Sequence, residues 1–436
     1  VFGFFASQNK KMRDTARNWL EMADKVWNYR RDELTEMERR DLRSHTEMLR
    51  ERVRTKADAA ELKLHIEALE PVLARHGGKI YPKTSMIDNV EFFLVATLVI
   101  LGIRAFIVQP FKIPTNSMWP SYYGMTADNL LVKGANPGLP ERAFRLLSFG
   151  AIRSEALAGA DGEVALRVFS NGSIAYTVVN GRKWLVIPTQ YREYTLTVGT
   201  VDTKLRVPLE FNEFDDVLRT SLFGSTENFY KALTTAYNSK ALSQVLVPAK
   251  EGSEEAYRAY YFKTGKQLRS GEPMLRFDIL TGDQLFVDRV SYHFRAPRPG
   301  DGFVFRTGNI AGIGQDQYYI KRLVGVPGDK LEIRQPAIYR NGAPITGSDA
   351  FRKNAEREGL YKGYADSTTL ERQGGDWPYL RKGVVLDVPV DSYFAMGDNS
   401  YNSRDSRGWG FVPAADVIGT PLLIYYPFTA RWGWAK

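Results

Sequence analysis

The chain has 436 residues, 44% hydrophobic and 25% charged, with a mean hydropathy of −0.32, which excludes a disordered polymer and a polytopic membrane protein but leaves room for one spanning helix. It contains no cysteine, so disulfides, Cys-ligated zinc, iron–sulfur clusters and thiol catalysis are excluded, and its four histidines (His45, His65, His76 and His293) leave little scope for a histidine-rich metal site. The net charge of +9 is spread out: residues 1–108 carry 19 of the 59 basic and 16 of the 50 acidic side chains, so no basic stripe speaks for nucleic acid.

The chain starts at Val1, which fits either residues missing upstream or an alternative start codon read literally. Lys10–Arg75 is rich in Arg, Glu, Leu, Met and Ala and free of glycine, with Leu20, Ala23 and Trp27, and then Leu62, Ile66 and Leu69, at helical spacing. Two or more amphipathic helices are expected, ending near Pro71 and Gly77-Gly78. Phe92–Val108 is the most apolar stretch and is just long enough for a hydrocarbon core of about 30 Å, with Arg104 near one end where it can snorkel. Basic residues precede it (Arg75, Lys79, Lys83) and only Lys112 follows, so the positive-inside rule puts the N-terminal part in the cytoplasm. It lies too far along the chain to be a secretory signal peptide.

Beyond Val108 the texture becomes short alternating runs broken by turn residues: Val164–Phe169, Ile174–Val179, Lys183–Ile187, Tyr194–Val198, Leu285–Val290 and Phe303–Phe305. Asn180-Gly181 between two of these runs reads as a hairpin turn, and Thr226–Ser243 as a helical interlude. No G-x-S-x-G occurs, and three of the four histidines fall in the N-terminal helices. A serine nucleophile would then need another base, and lysine qualifies when burial disfavours its ammonium form.

Three segments carry the chemistry: Gln109-Pro-Phe-Lys-Ile-Pro-Thr-Asn-Ser-Met-Trp-Pro-Ser121 directly after the apolar stretch, Tyr318-Tyr-Ile-Lys-Arg-Leu-Val-Gly-Val-Pro-Gly-Asp329, and Gly397-Asp-Asn-Ser-Tyr-Asn-Ser-Arg-Asp-Ser-Arg-Gly-Trp-Gly-Phe-Val-Pro413. With Gly282-Asp-Gln-Leu-Phe-Val287 and Pro299-Gly-Asp-Gly-Phe-Val-Phe305, they make the chain resemble bacterial type I signal peptidases over Phe92–Tyr122 and Thr281–Phe428. The resemblance implies a mainly β catalytic core of the Ser–Lys protease kind, with one transmembrane helix preceded by a helical cytoplasmic region. Its divisions are 1–90 (cytoplasmic), 91–108 (transmembrane), 109–122 with 281–436 (catalytic), and 123–280, a β-rich insertion with some helix beside the active site. Gly124 and Gly282 bracket that insertion, whose removal is expected to leave short-peptide cleavage largely intact.

By resemblance Ser117 is the nucleophile and Lys321 its general base, while Thr115 donates a hydroxyl to the oxyanion beside the Ser117 backbone N–H. Ser403 orients the lysine, and Asp405 with Arg407 forms a supporting ion pair. If Tyr319–Leu323 is a strand, Tyr319 and Leu323 share the lysine's face and desolvate it. Shallow pockets for small residues at an A-x-A-like site are assigned to Phe111, Ile113, Met118, Leu285, Val304, Tyr319 and Ile320, with an extended substrate pairing on strand edges. Asn116, Trp119 and Ser400 depart from the family's usual residues; Asn116 stands where glycine is common. The expected function is removal of signal peptides from exported precursors at the bacterial inner membrane, on its periplasmic side. Expected partners are those precursors and membrane lipid, with no cofactor, no metal and no nucleic acid; the insertion could hold a further partner. The competing readings are another Ser–Lys peptidase, either membrane-tethered or of the self-cleaving repressor type, which is soluble and so lacks the spanning segment, and a non-catalytic envelope scaffold.

Overall fold

The computed structural model describes residues 8–82, 85–183, 186–372 and 374–435, so Lys83 of the charge argument and Trp184 and Leu185 of the strand reading lie outside the described residues. It divides into two compact units, one up to Gly102 and one from Ile103 onward.

The first unit opens with three helices, α1 (Gln8–Arg30), α2 (Glu36–Arg54) and α3 (Ala59–His76). Their apolar stripes meet in one core that includes Ala16, Leu20, Val26, Leu42, Leu49, Leu62 and Leu69. Thr35 and Glu38 form a capping box at the start of α2, and the Asp58 side chain caps α3 at 2.9 Å from the Glu61 N–H. Helix α3 runs through Pro71 to His76, with Gly77 as its C-cap, because Leu69, Val72 and Leu73 are all buried around the proline. Helix α4 (Ser85–Phe106) contains a 21-residue stretch, Met86–Phe106, long and apolar enough to cross a membrane. It starts earlier than the apolar run suggested, and Val108 is already in a strand.

In the second unit the large sheet has strands β1 (Val108–Lys112), β2 (Gln284–Asp288), β3 (Gly302–Arg306), β4 (Tyr318–Gly325), β5 (Ser392–Met396), β6 (Val412–Pro413) and β7 (Val417–Tyr426). Their order is β1-β2-β7-β3-β4-β5-β6, antiparallel throughout, with Gly433–Trp434 added on β7. Alternating residues such as Leu285 and Val287 of β2 enter the core, as the period of two requires. Strand β5 pairs with β4 only from Arg322 onward, so Tyr318–Lys321 has β3 on one side and, among the described residues, no strand on the other. A four-stranded sheet built from residues 330–387 packs its own core around Leu331, Ile333 and Phe351.

Residues 123–280 form two more sheets. Pro273–Leu280 pairs with Thr126–Asn129 and Ile152–Leu157, and a six-stranded sheet runs from Tyr176–Lys183 to Ser243–Pro248. Helices α6 (Phe214–Phe223) and α7 (Thr226–Asn238) close one core with Leu166, Tyr194, Phe211, Phe229, Phe262 and Phe277. Asn180-Gly181 is not a turn: both residues sit inside Tyr176–Lys183, opposite Gln190 and Thr189, in a pairing that continues to Lys183 opposite Ile187. The helical interlude begins at Thr226 as expected, with α7, and ends at Asn238 because Ser243 opens a strand, whereas α6 before it was not anticipated. Helix α5 (Leu139–Phe149) was not anticipated at all. It buries no side chain and leaves Leu139, Phe144 and Leu147 exposed, so no core-facing stripe marks it.

The two ends of this segment meet. The Asp283 N–H donates to the Tyr123 carbonyl and the Tyr123 N–H to the Asp283 carboxylate, each at 2.8 Å. A Cβ on Gly282 would overlap the Ile113 carbonyl, and one on Gly124 the Thr115 backbone, so glycine at both positions permits the contact.

Candidate active site

Strand β1 leads through Ile113 and Thr115, which is extended, into a short 3₁₀ turn, Asn116–Met118, that presents Ser117. Lys321 comes from β4, opposite Phe303 in register. Both side chains are nearly buried, at 9% and 5% exposure, and Lys321 Nζ lies 2.6 Å from Ser117 Oγ. The Tyr319 ring centre is 5.6 Å from the amine, on the shared strand face. Burial lowers the Lys321 pKa to about 8; Asp405 opposes that shift and Arg407 adds to it. A neutral amine at this distance can take the serine proton.

The loop after β5 closes over the pair. The Asn399 N–H donates to the Ser117 carbonyl and Asn399 Nδ2 to the Asn116 carbonyl, each at 3.0 Å. Arg407 grips Asp405 with two hydrogen bonds of 2.8 and 2.7 Å and bonds the Ser400 hydroxyl and carbonyl at 2.8 and 2.7 Å. The Asp405 carboxylate also accepts the Gly397 N–H at 3.0 Å, so the ion pair braces the loop carrying Ser403. Ser400, noted as a departure, is thereby a direct partner of Arg407. Arg322, next to Lys321, bonds Asp398 at 2.6 and 3.2 Å, and Asp398 accepts the Ser121 hydroxyl at 2.6 Å.

Ser403 departs from its expected geometry. It is buried, but its Oγ has no hydrogen-bond partner, and Lys321 bonds Ser117 rather than Ser403. The hydroxyl instead fills the space above Gly397, where a Cβ would overlap both Ser403 and the Ser117 carbonyl.

A cleft of about 340 Å³ opens over the pair. Phe111, Ile113, Leu285, Val304, Tyr319 and Ile320 line it as expected, together with Thr115. Met118 does not. The 3₁₀ turn drives it inward, and it is fully buried against Tyr122, Leu285 and Val287. The sequence reading missed Gln317, just before the Lys321 segment, Asn402 and Arg404, which flank Ser403, and Glu210 and Asn212, which reach the cleft from the 123–280 segment. It also missed the partner of Asn116. Asn116 Nδ2 donates to Glu213 at 2.6 Å, and Asn116 Oδ1 accepts the Gly124 N–H at 2.8 Å. Burial pushes the Glu213 carboxyl up, opposed by its bonds to Ala127 and Asn116. Among the described residues, no group of three or more His, Asp or Glu is arranged to hold a metal ion.

Comparison with known proteins locates this architecture. A family model described as signal peptidase, peptidase S26, matches residues 265–426, which include Lys321 and Ser403 but not Ser117. Signal peptidase I P of Bacillus subtilis subsp. natto is 32% identical over 154 residues, covering 34% of this chain and 70% of that protein. This chain belongs to the signal peptidase I family. Probable signal peptidase I-1 of Synechocystis sp. is 34% identical over 155 residues, 35% of this chain and 66% of that protein, so the match spans just under two thirds of that relative's length. A crystal structure of a signal peptidase I from Enterococcus faecalis is covered over 97% of its chain and 29% of this one at 30% identity, with a TM-score of 0.22. To the mainly β signal peptidase I fold this chain adds helices at its N-terminus, one of them long and apolar enough to cross a membrane.

Proposed function

We propose that this chain is a membrane-tethered serine endopeptidase that removes signal peptides from exported precursors at A-x-A-like sites. The observation that carries the reading is the buried pair, Lys321 Nζ 2.6 Å from Ser117 Oγ with the lysine pKa lowered to about 8. Neutral Lys321 accepts the Ser117 proton as Oγ attacks the scissile carbonyl. The Thr115 hydroxyl and the Ser117 N–H receive the developing oxyanion. Collapse of the intermediate expels the amine of the mature protein, which takes the proton from Lys321, and leaves an acyl-enzyme. Lys321 then activates the water that releases the signal peptide.

An extended substrate lies against Tyr318–Lys321, whose outer side carries no strand, so backbone pairing supplies affinity and the apolar cleft selects small side chains. In this reading α4 crosses the membrane with α1–α3 in the cytoplasm and the cleft outside, Asp405 and Arg407 support the lysine loop, Ser403 orients the lysine in the substrate complex, and 123–280 is an inserted domain. The test is incubation of the detergent-solubilised protein with a precursor bearing an A-x-A site, with the new N-terminus sequenced. The parent is expected to cut after the second alanine and Ser117→Ala to be inactive. Equal cleavage by Ser117→Ala would overturn the assignment. For topology, protease added outside intact spheroplasts should digest beyond Gln109 and spare Lys10–Arg75; the reverse pattern would reject the orientation.

A further inference from the structure

The 123–280 segment does more than stand beside the cleft. Its loop 209–213 leaves the strand Val201–Pro208 and enters α6 between two buried anchors, Phe211 and Phe214. Phe211 stacks on Phe277, and Phe214 on Tyr194 at 3.9 Å between ring centres, so the loop is held on a packed aromatic core. From that base Glu213 extends a carboxylate with both oxygens engaged: Oε1 accepts Asn116 Nδ2 at 2.6 Å and Oε2 accepts the Ala127 N–H at 2.7 Å. Asn116 immediately precedes Ser117, and its carbonyl belongs to the same rigid peptide unit as the Ser117 N–H. Asn399 holds that carbonyl from one side and Glu213 holds the side chain from the other.

Resting on the signal peptidase reading, we propose that Glu213 is a positioning residue for the reaction: through Asn116 it fixes where Ser117 and its N–H sit, so the 123–280 segment is a working part of the active site. Three features support this. The bonded atoms are assigned without ambiguity, because Asn116 Oδ1 is committed to the Gly124 N–H and only Nδ2 can meet a carboxylate. The charge-assisted bond is short and half-buried, the setting in which such bonds constrain geometry most. Finally, Glu210 and Asn212 of the same loop border the cleft, so a displaced loop alters the wall as well as the nucleophile.

The test is a reciprocal swap. Both Glu213 oxygens accept, so in Glu213→Gln the new NH2 faces a donor whichever way the amide turns, either Asn116 Nδ2 or the Ala127 N–H, and Asn116→Asp sets two carboxylates against each other. The double variant Asn116→Asp/Glu213→Gln restores the 116–213 contact with the donor direction reversed and keeps the bonds to the Gly124 and Ala127 N–H groups, losing only the longer bond of 3.3 Å from Asn116 Nδ2 to the Met125 carbonyl. Each single variant should lower kcat on an A-x-A precursor by about 10- to 100-fold with KM and thermal midpoint nearly unchanged, the scale of a small misplacement of reacting groups. The double variant should recover most of the loss, a rescue that a general weakening of the fold does not produce. Amide exchange of 115–118, followed in all four proteins, should quicken in the single variants and return in the double. Parent-like kcat and exchange in both single variants would overturn the proposal, as would a double variant as slow as the singles. If the parent itself fails to cut the precursor, the signal peptidase reading fails, and the exchange pattern alone still decides whether Glu213 positions Ser117.

Discussion

Lys321 and Arg322 are neighbours on β4 whose side chains leave opposite faces of the sheet and meet opposite electrostatic surroundings. Arg322 finds Asp398 at 2.6 Å and holds its charge more firmly than a free guanidinium, whereas Lys321 bonds the Ser117 hydroxyl and is pushed by burial toward the neutral amine against the pull of Asp405. The strand's alternation therefore sorts two adjacent basic residues, one held charged in an ion pair and one held toward its neutral form beside a hydroxyl.

That sorting gives a signed pH dependence. The folded Lys321 pKa of about 8 lies below its ordinary 10.5, so between these values the unfolded chain binds a proton that the folded chain has released. Stability should rise with pH across that window, and the penalty should be fully present below it. Lys321→Met, close in shape and uncharged, should be inactive but more stable than the parent at pH 7, by at most about 3 kcal/mol. Urea unfolding at pH 7 and above pH 10.5 checks this, and the gap should close at the higher pH. In the parent, kcat/KM should rise through about pH 8 and level off.

Thr115 lines the cleft beside Ser117 in extended conformation. Thr115→Val keeps the branched shape and removes the donor, so kcat should fall roughly 10²- to 10³-fold with little change in KM, while Thr115→Ser stays active. Steady-state kinetics on an A-x-A peptide measure the split, and a Val variant as fast as the parent would leave the backbone N–H as sole donor.

For Ser403 the two readouts should separate. Its buried hydroxyl has no partner, so Ser403→Ala removes an unsatisfied group and should leave the thermal midpoint unchanged or slightly higher. Activity should nevertheless drop at least about tenfold if the hydroxyl turns to Lys321 once substrate is bound. Calorimetry and kinetics on one preparation decide the matter, and full activity would assign Ser403 to packing above Gly397.

Gly397 has no space for a side chain, since its Cβ would overlap Ser403 and the Ser117 carbonyl. Gly397→Ala should therefore lower both stability and kcat, because the loop must withdraw from Ser117 to admit one methyl group. A destabilisation of about 1–3 kcal/mol is the ordinary scale of overpacking. Thermal unfolding and precursor cleavage together test this.

The candidate site was legible in the sequence because its members sit in compact motifs: Ser117, Lys321, Asp405 and Arg407 occupy runs that the fold brings together. What escaped depended on direction or on distance. Met118 reads as a pocket residue until the 3₁₀ turn shows which way it points. The Asn116–Glu213 bond joins positions 97 residues apart with no motif at the second, so only the folded chain brings them together. Asn180-Gly181 has turn chemistry, but pairing along the whole of Tyr176–Lys183 overrides that local preference. The sequence also held no sign that Glu210 and Asn212 of the 123–280 segment line the cleft; if Glu213 positions Ser117 as proposed, replacing the segment with a linker should slow even short-peptide cleavage, which the deletion and a peptide assay test.

Helix α5 also bears on how the molecule must be handled at the bench. A fragment beginning at Gln109 sheds the long apolar helix, yet it keeps Leu139, Phe144 and Leu147 facing the solvent on α5 and Phe428 and Trp432 exposed elsewhere. Trimming the anchor should therefore not yield a well-behaved aqueous sample. Mild surfactant, or polar replacements on α5, would be needed to keep such a fragment monodisperse at the concentrations that crystallisation and spectroscopy require.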